Sequence, residues 1–193
     1  MQPIEPLMAE HRLIERLMFL LRQDLERIRS NMAVDPEFAF VDPVFIDQAV
    51  DFLSTYADRC HHGKEEDIFF AALAEKDIAP DLKNIMAELI AEHQEARELT
   101  QDLMQAKINY LREDKEAVPK MLYCISKLTA MYPKHMIKED QYFFVSCLKY
   151  FTPAESEVLL ARMAEFDRRL IHEKYQDLVH RIETRRACGV GGK

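Results

Sequence analysis

Apolar residues recur along this chain at intervals of three and four, and no stretch alternates with the two-residue period of a strand. The sequence therefore reads as helix throughout. Over residues 4–32, Leu7, Met8, Ile14, Leu17, Leu20 and Leu21 make one stripe. Residues 34–41 break the pattern and read as a loop. Asp42 followed by Pro43 is a helix start, with a capping carboxylate before a proline whose fixed φ suits the first turn. That second helix runs to about Glu75. Pro80-Asp81 opens a third, which ends near Arg112. A fourth begins between Lys115 and Pro119 and ends near Phe151. Thr152-Pro153-Ala154-Glu155 is a capping box, and it starts a fifth helix that reaches about Arg186. The pattern predicts an all-α protein: an up-down-up-down four-helix bundle over residues 1–151 with an appended amphipathic helix over 152–186. The appended helix carries Leu159, Met163, Phe166, Leu170, Leu178 and Ile182. It must bury them on the bundle, on a protein partner or on a second copy. The glycine-rich residues 187–193 are expected to form a disordered tail.

Composition narrows the class. A chain of 193 residues, 48% hydrophobic, buries a core large enough to fold without staples. Its longest apolar run, Ile68 to Ala74, is far too short to span a bilayer. A net charge of −8 argues against nucleic acid and anionic membrane surfaces as partners. Cys60, Cys124, Cys147 and Cys188 form no CxxC pair, and the opening Met1-Gln2-Pro3-Ile4-Glu5 is unlike a secretion signal. Reduced thiols and a cytoplasmic location are the expectation.

The chemistry lies in a repeat. His61-His62-Gly63-Lys64-Glu65-Glu66-Asp67-Ile68-Phe69-Phe70 aligns with His135-Met136-Ile137-Lys138-Glu139-Asp140-Gln141-Tyr142-Phe143-Phe144, sharing H-x-x-K-E-[ED]-x-x-F-F. Upstream, Ala9-Glu10-His11 aligns with Ala91-Glu92-His93. The chain reads as two related helical hairpins, each with a lone histidine and a His-x-x-x-Glu pair. The i,i+4 spacing sets both side chains of a pair on one face, one turn apart. His11, His61, His93 and His135 all fall on predominantly apolar, core-facing stripes. An unpaired buried polar group costs roughly 2–7 kcal/mol and an unpaired carboxylate more. A bound cation removes that cost, because neutral imidazoles and carboxylates are the groups it needs. Imidazole with carboxylate suits Fe, Zn or Mn. Two bridging carboxylates and two histidines per ion, with one bridging oxygen, leave each ion an open position for a small ligand.

The ordered set His11, His61-x-x-x-Glu65, His93, His135-x-x-x-Glu139 resembles the hemerythrin-like HHE cation-binding family. The resemblance implies a non-haem di-iron centre, two Fe ions bridged by carboxylate and by an oxo or hydroxo group, inside a four-helix bundle. It also implies dioxygen, nitric oxide or peroxide as the small ligand, or an iron-responsive sensor that signals through a partner surface. The oxygen carriers of that family have His-x-x-x-His on the third helix. Here Arg97 stands four residues after His93, and that fifth histidine is missing. No organic-substrate pocket or acid–base dyad is legible, so enzymatic turnover stays open.

Several neighbours compete for the site. His62 with Glu66 also has i,i+4 spacing, but its face carries Asp51, Thr55, Asp58 and Arg59, and its counterpart is Met136. The ligand reading therefore falls on His61. Asp140 offers an alternative to Glu139, which the repeat favours because it aligns with Glu65. Glu15 follows His11 by four residues and reads as a surface ion pair or an extra ligand. Glu10 and Glu92 read as surface groups or as carboxylates orienting an imidazole. Tyr56, Tyr132 and Tyr142 read as core residues near the ligands. His172 and His180 read as surface residues. Pro133 inside the fourth helix should free a backbone carbonyl.

Overall fold

The computed structural model describes residues 2–35, 39–168 and 171–190. Among these, every regular element is helical. Helix α1 spans Glu5–Val34. Helix α2 is composite: α-helical over Pro43–Asp51, π-helical over Phe52–His62 and Glu65–Phe70, and α-helical again over Ala71–Ala74. Helix α3 spans Pro80–Tyr110. Helix α4 runs through Ala117–Lys138, a π-helical turn at Glu139–Phe143, Phe144–Cys147 and a tight last turn at Leu148–Tyr150. Helices α5, Pro153–Asp167, and α6, Ile171–Val190, follow.

The start signals work as their chemistry requires. The Asp42 carboxylate accepts from the amides of Val44 and Phe45 at 3.0 and 3.3 Å, taking two donors that the helix leaves unpaired. Thr152 and Glu155 form the reciprocal capping box. Pro133 has no amide to give the Thr129 carbonyl, and Arg22 of α1 donates to that oxygen at 3.1 Å instead. The freed acceptor thus becomes a tie between α1 and α4.

The bundle core forms two apolar clusters. One contains Leu17, Leu21, Phe52, Leu53, Leu103, Ile125 and Leu128. The other contains Leu7, Ile68, Phe69, Phe70, Leu89, Phe143 and Phe144. Four helices of this length bury a long interior, and the histidine positions of the repeat fall between the two clusters.

The single helix expected over 152–186 is two helices. The apolar residues of α5, Leu159 and Met163, join the cluster of the phenylalanines. Those of α6, Tyr175, Leu178, Val179 and Ile182, join the other cluster. Both stripes are therefore buried on the bundle itself, and a straight helix cannot serve both ends of it. Phe166, expected in the stripe, is 40% exposed and lies over Gly63, where a Cβ would stand 3.1 Å from its ring. Leu170 lies outside the described residues. Of the expected tail, residues 187–190 continue α6, and residues 191–193 lie outside the description.

Candidate metal centre

The four bundle helices each bring site residues to one buried layer. Helix α1 supplies His11; α2 supplies His61, His62 and Glu65; α3 supplies His93; α4 supplies His135 and Glu139. None of these side chains is more than 3% exposed. Their donor atoms fall into two groups, His11, His61, Glu65 and Glu139 in one, His62, Glu65, His93 and His135 in the other. Within each group the atoms lie within 4.8 Å of one another. Glu65 belongs to both: one carboxylate oxygen is 3.3 Å from His61 Nε2, the other 3.3 Å from His93 Nε2. Glu139 spans the layer too, with Oε2 at 3.3 Å from both His11 Nε2 and His135 Nε2, and Oε1 at 3.9 Å from His93 Nε2. The six residues singled out in the sequence are brought together, and each carboxylate reaches across both halves.

A second layer of acids sets the rings. His11 Nδ1 donates to Asp140 at 2.7 Å, His61 Nδ1 to Glu10 at 2.9 Å, His93 Nδ1 to Glu66 at 2.7 Å and His135 Nδ1 to Glu92 at 2.8 Å. A carboxylate only accepts, so each Nδ1 carries a proton and each ring turns its Nε2 inward. These nitrogens face each other in pairs, His11 with His61 at 2.9 Å and His93 with His135 at 3.2 Å. Two lone pairs at that distance repel unless a proton or a cation sits between them. The acids are themselves held: Arg12 binds Asp140, Lys64 binds Glu10, Arg97 binds Glu66 at 2.7 Å and Lys138 binds Glu92 at 2.7 Å. The repeat already carried most of this layer, since Glu10 matches Glu92, Lys64 matches Lys138 and Glu66 matches Asp140. The sequence offers Glu10 and Glu92 as carboxylates that orient an imidazole, and the structure adds Glu66 and Asp140 in the same role.

His62 is a correction. Its predicted polar face assumed about 100° of rotation per residue, the α-helical value. Here the amide of Gly63 bonds the carbonyl of Asp58, five residues back, so the turn is wider and each residue rotates less. His61 and His62 therefore both point inward. The His62 ring stacks on His93 with centroids 3.8 Å apart. Neither of its nitrogens has a hydrogen-bond partner. Asp58 is the near carboxylate, 3.5 Å from Nδ1, too long for a sound bond. No periodicity in the sequence signals a π-helical stretch.

Charge demand points the same way. The oxygens of Glu65 and Glu139 are buried with no hydrogen-bond partner. Burial alone raises the Glu139 carboxyl, but His135, His11 and His61 outweigh it and hold it at about 2. Burial pushes His11 down, yet Asp140 and Glu139 pull it to about 10; His93 rises likewise to about 9 through Glu65 and Glu66. Burial, then His93, His61, His135 and Arg97, hold His62 well below its ordinary value, so its ring is neutral. Five buried imidazoles and two carboxylates with orphaned oxygens fit divalent cations, which would displace the protons that His11 and His93 otherwise hold.

The remaining candidates settle elsewhere. Glu15 is half-buried and pairs with Arg12 at 2.9 Å. Asp140 orients His11 from behind. Tyr56 and Tyr132 are buried, while Tyr142 is 60% exposed. His180 is exposed, and the side chains of His172 and Cys188 lie outside the described residues. Cys60, Cys124 and Cys147 are buried and free. Glu10, Cys60 and Asp167 come close enough to suggest a third cation group, but the Lys64 ammonium already fills it, bonding Glu10 and, at 2.7 Å, Asp167. The paired phenylalanines close one side of the layer: Phe144 stacks on His11 and Phe70 on His93, each at 6.1 Å.

A four-helix bundle with a buried, internally duplicated His/Glu layer is a metal-binding bundle. The hemerythrin HHE cation-binding domain profile matches residues 2–147, and the chain belongs to that family. Comparison with curated proteins and with solved structures gives no significant match. Among the described residues, no helix is long and apolar enough to cross a membrane.

Proposed function

We propose that the chain is a non-haem di-iron protein that binds or reacts with dioxygen, nitric oxide or peroxide in the bundle core. The observation that carries this reading is the pair of buried, unpartnered carboxylates, Glu65 and Glu139, each spanning both imidazole groups. A single ion needs one such carboxylate; two carboxylates shared between two histidine groups suit two ions. His11 and His61 would hold one iron, His93 and His135 the other, with Glu65 and Glu139 shared between them. Such a pair of irons supplies redox chemistry toward a small oxygen- or nitrogen-containing ligand. The chain's own residues do the rest. Asp140, Glu10, Glu66 and Glu92 fix the ring tautomers, and the stacked Phe70 and Phe144 keep water from one face.

A sensor reading draws on a separate observation. The chain His61, Glu10, Lys64, Asp167 links a ligand to the end of α5. In that reading the C-terminal helices report the state of the centre to a partner or a second copy. Metal analysis of anaerobically purified protein, with optical spectra before and after air, tests the first reading. Two irons per chain and a spectral change in air are expected; zinc, or no metal, would sink it. Loss of helix α6 docking on chelation, seen as faster amide exchange in α6, favours the sensor.

A further inference from the structure

The layer has a polar approach. A cavity of about 220 Å³ lies between α2, α3 and α4, with exposed Ser54 and Gln101 at its rim and buried His62 and Tyr132 at its floor. Asp58, Arg97 and Thr100 also line it, so its walls donate and accept hydrogen bonds. Water occupies about 30 Å³ per molecule, so the space holds about seven waters or a small polar ligand. It falls short of the roughly 300–1,000 Å³ of organic-substrate pockets.

The related surface of the other hairpin behaves differently. Positions equivalent under the repeat, Glu15, Met18, Phe19 and Pro133, line a depression of about 230 Å³, and no site histidine is among its lining residues. The equivalent of His62 there is Met136. Among the described residues, the His62 side joins the outside to the layer through an unpartnered ring, and the other hairpin's depression does not. That ring is held by stacking on His93, without a hydrogen bond. Asp58, on the cavity wall 3.5 Å away, is an acceptor that a small rotation would engage.

We infer that this cavity is the route and holding site for a small hydrogen-bonding ligand, and that His62 is its gate. The inference rests on the di-iron reading and adds its access path. His62 rotates toward Asp58, exposing the His93/His135 side of the layer to whatever sits in the cavity. Arg97, bonded to Asp58 and Glu66, and Thr100, bonded to the Ala96 carbonyl, give the wall a polar surface that suits a small polar molecule over a bulky or purely apolar one.

The test uses iron-loaded, air-oxidised full-length protein rapidly mixed with azide, followed by absorbance. Ala96→Phe fills the cavity and Gln101→Trp narrows its exposed rim; each should slow azide association about tenfold or more, with two irons still bound. His62→Ala should speed association about tenfold and keep most of the iron. Phe19→Trp, on the related depression, should leave the rate unchanged. Unaltered rates in both Ala96→Phe and Gln101→Trp, or equal slowing in Phe19→Trp, would overturn the access route while leaving the di-iron reading intact. An unchanged rate in His62→Ala would remove the gate. Failure of the parent chain to hold iron would overturn both readings together. If Ala96→Phe does not fold, Gln101→Trp alone decides, since its side chain lies outside the core.

Discussion

The two hairpins share a ligand pattern and differ in what surrounds it. In each, a lone histidine bonds an acid from the other hairpin, and a paired histidine bonds the acid preceding its own lone histidine. The resulting layer is nearly two-fold. The first hairpin departs from it in three places. His62 replaces Met136 at an inward position. Lys64 is fully buried between Glu10 and Asp167, whereas Lys138 is 26% exposed between Glu88 and Glu92. Gly63 admits Phe166 of α5, where the second hairpin has Ile137. Duplication thus accounts for the ligand shell, and the C-terminal helices, which cover one hairpin more than the other, account for the asymmetry. Positions in the shared His/Glu layer are alike in the two hairpins; positions facing different neighbours differ.

Removing a shared carboxylate should have the largest effect, because it serves both halves. Glu65→Ala or Glu139→Ala is expected to strip nearly all metal, read by elemental analysis after desalting. Loss of half the metal from either variant would mean that the carboxylate serves one ion alone. The lysines come next and should part company. Lys64→Ala leaves two acids close together without their cation, a change that costs about 3–5 kcal/mol in a buried pair. Lys138→Ala at a partly exposed site should cost about 0–1 kcal/mol. Urea unfolding of the two variants side by side measures the gap, and equal losses would show that burial by α5 contributes nothing.

The orienting acids should come third, and should be alike in the two halves. Glu10→Gln and Glu92→Gln are each expected to weaken metal binding about 10–100-fold, the usual range for such partners. A competition titration against a chelator checks this, and a defect confined to one half would break the two-fold picture. The smallest effect is on pH. His11 and His93 are raised to about 10 and about 9 from 6.5. A raised pKa contributes stability in full below the unfolded value, and the contribution fades as pH climbs through the folded one. Chelator-treated protein should therefore lose stability between pH 6.5 and 10. Metal-loaded protein should stay flat there, since ions keep the rings neutral. Urea midpoints at pH 6, 8 and 10 distinguish the two, and a rise with pH in the chelated sample would contradict the assigned charge.

Much of this molecule was legible in its residues. Heptad-like stripes, Asp42-Pro43, Pro80 and the Thr152 box placed the helices within a few residues, because capping and amphipathicity are local effects. The repeat picked out His11, His61, Glu65, His93, His135 and Glu139 together, because i,i+4 spacing on an apolar face is also local. The break between α5 and α6 was not legible. It depends on which core cluster each stripe meets, and that is set by the packing of all four bundle helices, not by residues 152–186 themselves.

His62 marks the boundary most sharply. The sequence by itself determined that two hairpins would carry matching histidines and acids, since chemistry and spacing are written residue by residue. Only the tertiary structure decided that α2 widens into π-helical turns, that His61 and His62 then share the interior, and that Arg97 secures Glu66 where a fifth histidine could have stood. The physical reason is that backbone hydrogen-bond register in a buried helix answers to the packing and charge of all its neighbours at once, and no single segment encodes those neighbours.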